Sequence, residues 1–287
     1  MSSKTFEILD TYSNSLVVPK DLIEDLRQKI VERFAANPDL YYTKDIEKLK
    51  TNDWSVRRFL YEHKSKPDVS KALESMDKAL KWRKSFGVHE LKDNEFTREG
   101  YLSAGAFVYG TDRNGSPILI LRGKVSRKIK VWVKTAHQFL VYLFEYVDQN
   151  FEGKGLTLLI DCRDSGIKNA DMDTLKFIHS VLTDYYPGLV SSSMVYKMPI
   201  VLEAIYKMCR SWLSDEQTKY IYIVGKKTIQ QYVAPEQLPD ILLGTNAKPY
   251  RDIPDGSPSV HELAEKLGFK TEKADKLVKH LEKFYDN

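Results

Sequence analysis

The sequence predicts an α/β protein, a mostly parallel sheet with helical crossovers, preceded by a small helical unit. Three observations predict it. Before residue 90 the apolar positions recur only at helical spacing. From about residue 96, short β-prone runs alternate with helical segments, the pattern of strands joined by crossover helices. One of those runs, LTLLID at 156–161, is apolar almost throughout, as a strand covered on both faces is.

In chain order, DLIEDLRQKIVERF (21–34) and DWSVRRFLYEHK (53–64) give the first two helices. A third occupies 68–87: Asp68 is a good N-cap, Val69, Ala72, Leu73, Met76, Leu80 and Phe86 form the apolar stripe, and Gly87 ends it. Runs 106–109 and 118–121 flank DRNGSP, which has the residues of a hairpin connection. A long helix over 133–151 leads to the strand 156–161. MDTLKFIHSVLTDYYP reads as a helix, SSMVYKM as a strand, 198–217 as a helix and KYIYIVG as a strand. Near the end, Ser259 and Glu262 form a capping-box pair, and a helix over 271–285 has Ala274, Leu277, Val278, Leu281 and Tyr285 on one face.

The helix at 198–217 poses the functional question. Glu203, Lys207, Arg210, Ser211 and Ser214 make one wet stripe. Val201, Leu202, Ile205, Met208, Cys209, Trp212 and Leu213 make a broad apolar face. A core, a ligand cavity and a membrane surface would each accept that face, and periodicity does not choose among them.

The 287 residues are 42% hydrophobic and 29% charged, enough to bury a real core, and the net charge of +4 does not call for nucleic acid. The opening MSSKTFEILDTYS has no secretory pattern, and no stretch reaches the roughly 18 to 20 apolar residues that cross a bilayer. The expectation is therefore a soluble protein. Cys162 and Cys209 lack metal or redox spacing, and NGS at 114–116 reads as a turn.

An enzyme should show its tools, and the nucleophile-elbow, phosphate-loop, dinucleotide and zinc-helix motifs do not occur. Asp161, beside Arg163 and Asp164, stands where α/β enzymes place carboxylates; a structural loop residue that pairs locally is the preferred reading. No catalytic residue, metal or cofactor is expected. The basic run RGKVSRKIKVWVK (122–134) has Arg122, Lys124, Arg127, Lys128, Lys130 and Lys134 with no acidic residue between them. It reads either as a solvated loop or as a patch for anionic lipid headgroups, worth about 1 kcal/mol per basic residue. With Trp132 its one aromatic, nucleic acid is disfavoured.

RRFLYEHKSKPDVSKALESMDKALKWRKSFGV, GTDRNGSPILILR, LTLLIDCRDSG, YYPGLVSSSMVYKMP and YVAPEQLPDILLGT, in that order and spacing, resemble the CRAL-TRIO family of lipid-binding and lipid-transfer proteins over roughly 45–245. The resemblance implies the CRAL-TRIO fold, a sheet flooring a hydrophobic cavity. With the pass along the chain it divides the sequence into a helical amino-terminal domain (1–95), a lipid-binding domain (96–246) and a carboxy-terminal helical extension (247–287), whose helices from about 257 lie outside the resemblance. It also implies a mobile gate over about 200–220, with Leu202, Ile205, Met208, Cys209, Trp212 and Leu213 as its apolar face. Cavity candidates are Phe107, Tyr109, Leu119, Leu121, Leu158 and Ile160, although alternation alone does not fix which of them point inward.

Phosphatidylinositol-binding members of that family have Glu after Tyr-Tyr-Pro, where this chain has Gly188 after Tyr185, Tyr186 and Pro187. Their gate-end Lys falls on Tyr220, with Lys219 adjacent, and their basic pair falls on His63 and Lys64. The usual Gly-Gly before the final Thr is Leu243 and Gly244. Lys64, Lys219 and Tyr220 are thus the headgroup candidates within a broken phosphoinositide pattern. The implied partners are a hydrophobic lipid, a phospholipid first of all, and a transient membrane surface, at a cytoplasmic, peripherally membrane-associated location. The rival readings are a protein-interaction scaffold without a pocket and a carrier of a tocopherol- or retinoid-like small lipid.

Overall fold

The computed structural model describes residues 18–60 and 67–285. Four helices come first: α1 (Lys20–Ala36), α2 (Thr43–Thr51), α3 (Asp53–Leu60) and α4 (Val69–Phe86). They bury Leu26, Ile30, Ile46, Val56, Leu60, Ala72 and Met76 in one apolar cluster. α2 was not foreseen: its short TKDIEKLKT sequence is mostly polar, and its buried residues are Asp45, Ile46 and Leu49. The expected helix at 53–64 is described only to Leu60, so His63 and Lys64 lie outside the described residues.

α4 begins and ends where its caps dictate. The Asp68 side chain accepts the Lys71 amide at 3.1 Å, and Gly87 at φ +80° lets its N–H reach back to Arg83 and Lys84. Asp68→Ala should cost about 1 kcal/mol of stability by urea denaturation, through loss of that cap; an unchanged midpoint would show that tertiary packing alone fixes the helix start.

A short helix α5 (Arg98–Ser103) leads into a five-stranded sheet: β1 (Ala106–Thr111), β2 (Pro117–Arg122), β3 (Leu156–Asp161), β4 (Val190–Tyr196) and β5 (Ile221–Val224). The spatial order is β1-β2-β3-β4-β5, with β1 antiparallel to β2 and the other pairs parallel. In the β1–β2 hairpin, Asp112 Oδ1 accepts the amides of Asn114 (2.8 Å) and Ser116 (2.9 Å), and Gly115 takes φ +81°. Helix α6 (Val133–Asn150) connects β2 to β3, and α7 (Met172–Ser180) with a π-helical turn at Val181–Tyr185 connects β3 to β4.

The single helix expected over 198–217 is instead three pieces. A 3-10 turn at Ile200–Leu202 precedes α8 (Glu203–Ser211), and α9 (Asp215–Thr218) follows a break. The break has a local cause: Ser214 and Gln217 form a capping box that starts a new helix. Last come α10 (Val260–Lys266) and α11 (Thr271–Leu281). Their apolar faces pack on Val125, Ile129 and Trp132, and the Trp132 indole N–H donates to Lys273 O at 3.3 Å.

Candidate functional site

Strand register decides which side chains can face a cavity. Leu119 pairs with Leu158 and Leu121 with Ile160, while Leu158 pairs with Ser193 and Ile160 with Val195. These residues, with Ala106 and Val108 of β1, share one face of the sheet beneath α6 and α7. The other face holds Ile118, Ile120, Leu159 and Met194, covered by Ile229, Val233, Leu238 and Leu242.

Two apolar lobes lie on the first face. The larger, about 360 Å³ and partly open to solvent, is lined by the sheet, α5, α6, α7, the 123–132 segment and α11. The smaller, about 210 Å³, lies under α7, its π-helical turn and α8. Leu158, Ile160, Leu175 and Ile178 line both, so the two are neighbouring compartments on one floor.

Of the expected cavity residues, Leu121, Leu158 and Ile160 line this space. Leu119 lies on the same face but is wholly buried in the cluster under α6. Phe107 and Tyr109 are corrected: they point to the opposite face. There Phe107 stacks on Tyr250 at 4.8 Å, and the Tyr109 hydroxyl donates to Asn246 O (3.1 Å) and Lys248 O (2.8 Å). β1 turns its bulky residues toward the carboxy-terminal strap and gives the lobe side its smaller Ala106.

α8 has no buried residue, although it covers the smaller lobe. Cys209, Trp212 and Leu213 line that lobe; Leu202, Ile205 and Met208 do not, and Met208 is 38% exposed. Tyr206, which the apolar-stripe reading had passed over, lines it too. Just before the helix, Ile200 is 88% and Val201 52% exposed. Burial holds the Cys209 thiol above its usual pKa and the His179 imidazole below, so both are neutral near pH 7. Tyr220 is buried against the same lobe, whereas Lys219 lies outside its lining, exposed and paired to Glu216 at 2.7 Å. Lys64 falls outside the described residues.

A buried charge network anchors the wall behind this lobe. Arg83 reaches both Asp45 oxygens (2.8 and 2.9 Å) and both Glu145 oxygens (2.8 Å each), and the Tyr186 hydroxyl donates to Glu145 at 2.7 Å. Arg58 Nε donates to Pro187 O at 2.7 Å. Gly188 follows in the lobe wall at φ +71°, a conformation that disfavours the glutamate expected there in phosphatidylinositol binders.

Asp161 is fully buried and met locally by Arg163, whose amide, Nε and guanidinium NH2 lie 3.1, 2.8 and 2.7 Å away, matching the structural reading. In the basic segment Arg122 is buried and donates to Ser103 O at 3.0 Å. Lys124 lies 3.7 Å from Asp164, and Lys128 pairs with Asp173, while Arg127, Lys130 and Lys134 are exposed. The sequence reading missed Leu175 and Ile178 of α7 and Leu277, His280 and Leu281 of α11. The α11 stripe was visible; its destination, more than a hundred residues away in sequence, was not. Among the described residues no cluster of metal-ligating side chains occurs and no helix is long and apolar enough to cross a membrane.

Comparison with known proteins adds an independent line. Residues 103–244 match the CRAL/TRIO domain model. Patellin-4 of Arabidopsis thaliana is 24% identical over 187 residues, covering 60% of this chain and 34% of its own length. Phosphatidylinositol/phosphatidylcholine transfer protein SFH9 of Arabidopsis thaliana is 22% identical over 205 residues, covering 63% and 35%. Sec14 cytosolic factor of Schizosaccharomyces pombe is 24% identical over 217 residues, covering 68% and 75%. The chain thus spans only about a third of the first two of these relatives. The crystal structure of Sfh5 aligns with a TM-score of 0.62 at 14% identity, over 86% of this chain and 96% of that one, and so shares the fold.

Proposed function

The chain carries a CRAL/TRIO domain at residues 103–244, and from that premise we propose that it binds a hydrophobic lipid in the paired lobes and exchanges it with membranes through α8. The observation that bears most weight is a helix with no buried residue lying over an apolar lobe, next to an Ile200 that is 88% exposed. Such an element sits at the low-stability end of the structure and can open without melting the sheet.

The physics demands enclosure. At about 0.8 kcal/mol per methylene, ten methylenes passing from bilayer to water cost about 8 kcal/mol, near a million-fold in equilibrium. On this reading Cys209, Trp212 and Leu213 shelter the lipid, while Ile200, Val201 and Met208 meet the bilayer first. Leu202 and Ile205 come into play as α8 swings. A phospholipid is the first ligand, in keeping with the name of the SFH9 relative. Lys219, Tyr220 and Lys64 are the groups that would meet its head. The reading involves no catalytic step, and places the protein at cytoplasmic membrane surfaces as a peripheral visitor. Its units are the helical 1–95, the lipid-binding 96–246 and the extension 247–287.

A small, compact lipid of tocopherol or retinoid type is the second reading. It is favoured by lobes of about 360 and 210 Å³, at or below the small end of the roughly 300–1,000 Å³ ligand pockets.

Ile205→Asp and Trp212→Asp together should reduce phospholipid transfer between vesicles by about a hundredfold, since a charge at an apolar membrane face costs about 2–3 kcal/mol or more. Ile205 and Trp212 are each only partly buried, so the thermal midpoint should move little. Undiminished transfer by the folded double variant would rule out α8 as the gate.

A further inference from the structure

The larger lobe is built partly from outside the matched domain. Leu277, His280 and Leu281 of α11 form one of its walls, although α11 begins 27 residues beyond the end of the CRAL/TRIO match. The rest of the lining is mainly apolar, with Leu121, Phe139 and Leu158, and its buried polar members are engaged within the protein: Arg122 donates to Ser103 O at 3.0 Å and Asn169 donates to Lys124 O and Ser126 O at 3.0 Å each. Where the lobe reaches solvent, its lining includes the exposed Arg127.

We propose that this lobe takes an amphiphile with one hydrocarbon chain and an anionic head, the head at Arg127 and the chain against α11. The proposal rests on the reading of the cavity as lipid-binding and adds a single-chain ligand class that the larger lobe takes by itself. Among the described residues Arg127 forms no hydrogen bond or ion pair. The carboxylate in the same lining, Asp171, is already engaged: it accepts from the Asp173 amide (3.2 Å) and the Thr174 hydroxyl (2.9 Å), with Lys128 at 3.8 Å.

His280 stands in the same lining, within the influence of three basic side chains. It is buried, its Nε2 hydrogen bonds to Val125 O at 2.7 Å, and burial is the first cause of its lowered pKa. The bond to Val125 O opposes that effect, while Arg127, Lys283 and Lys168 add to it. The rim therefore offers an exposed cation, Arg127, beside a carboxylate that is already engaged, to a head that brings negative charge without its own cation, as a carboxylate or phosphate monoester does. A zwitterionic head would carry a cation into the same field. The volume of about 360 Å³ stands at the small end of ligand pockets, which favours a slender ligand.

The test uses the delipidated full chain with two probes of identical chain, oleate and oleyl alcohol, at about pH 8 where the carboxylate is ionised. Oleate should bind about tenfold tighter than the alcohol, as a charge-assisted contact at a partly exposed site allows. It should also slow amide hydrogen exchange across 271–281. Arg127→Gln should remove the acid preference while the alcohol affinity stays within about twofold, and Arg127→Lys should restore part of it. Equal binding of acid and alcohol, a preference that survives Arg127→Gln, or oleate binding that leaves α11 exchange unchanged would each overturn the proposal. Failure of both probes with phospholipid transfer intact sinks this inference alone. Failure of both probes together with phospholipid transfer sinks the lipid-binding reading on which it rests.

Discussion

Ile160→Trp is expected to leave a folded protein that no longer holds lipid. Ile160 is only partly buried, because it stands on the floor of both lobes between Leu121 and Val195. An indole there projects into space that is open in the wild type, so it adds packing where core substitutions usually add strain. It also divides the floor that any chain extending across both compartments must lie on. Native mass spectrometry of protein purified from cells should show bound lipid in the wild type and none in the variant. Vesicle transfer should fall by about a hundredfold, equivalent to under 3 kcal/mol of lost binding, and the thermal midpoint should hold or rise.

The matched control is Ile120→Trp. Ile120 is fully buried on the opposite face, where overpacking costs about 1–3 kcal/mol but leaves the lobes untouched. That variant should lose stability and keep its lipid. Stoichiometric lipid in Ile160→Trp, or a variant pair with the two outcomes exchanged, would show that the ligand lies elsewhere.

The reason Phe107 and Tyr109 were misplaced shows what the sequence can and cannot specify. LTLLID and ILIL are apolar on successive residues because both faces of the sheet are covered, and that same coverage erases the two-residue period that would say which face is hollow. In β1 the large residues pack against Tyr250, and the lobe is left on the side where Ala106 is small.

Local signals were read more faithfully than distant ones. Asp68 and Gly87 marked the ends of α4 because capping is settled within four residues. Ser214 and Gln217 offered an equally local signal for the break after α8, which the longer apolar periodicity masked. Which groove α11 fills depends on the packing of Val125 and Trp132 against it, and no spacing within α11 encodes that.

Arg83→Met should be the most destabilising single change among the described residues. Arg83 is buried between Asp45 and Glu145, and removing it takes away the guanidinium that bridges them, leaving Asp45 with His89 (2.8 Å) and Glu145 with Tyr186 and Gln149 (2.7 Å each). Breaking such a network from one side costs about 3–5 kcal/mol, a large share of a domain's stability.

The pH dependence separates this cause from simple loss of packing. Burial alone would raise the carboxyls of Asp45 and Glu145, but Arg83 first of all, with His89 at Asp45 and Tyr186 and Gln149 at Glu145, outweighs it and holds both at about 2, against ordinary values of 3.8 and 4.5. Groups whose folded pKa is depressed stabilise above their unfolded values, so this contribution is complete above about pH 5 and is lost as pH falls toward 2. In Arg83→Met, burial acts without the guanidinium and the carboxyls take up protons at higher pH. The wild type should therefore lose stability on acidification from pH 5 while the variant loses less, and the gap between their urea midpoints should narrow from pH 7 to pH 4. Because Tyr186 bonds the same Glu145 and immediately precedes Pro187 and the Gly188 turn of the smaller lobe, transfer activity at pH 7 should fall in the fraction of Arg83→Met that remains folded. A gap below about 1 kcal/mol at pH 7, with parallel curves on acidification, would mean that water enters the network and solvates its charges, and that the lobe wall is held by Trp82 stacking on Tyr185 instead.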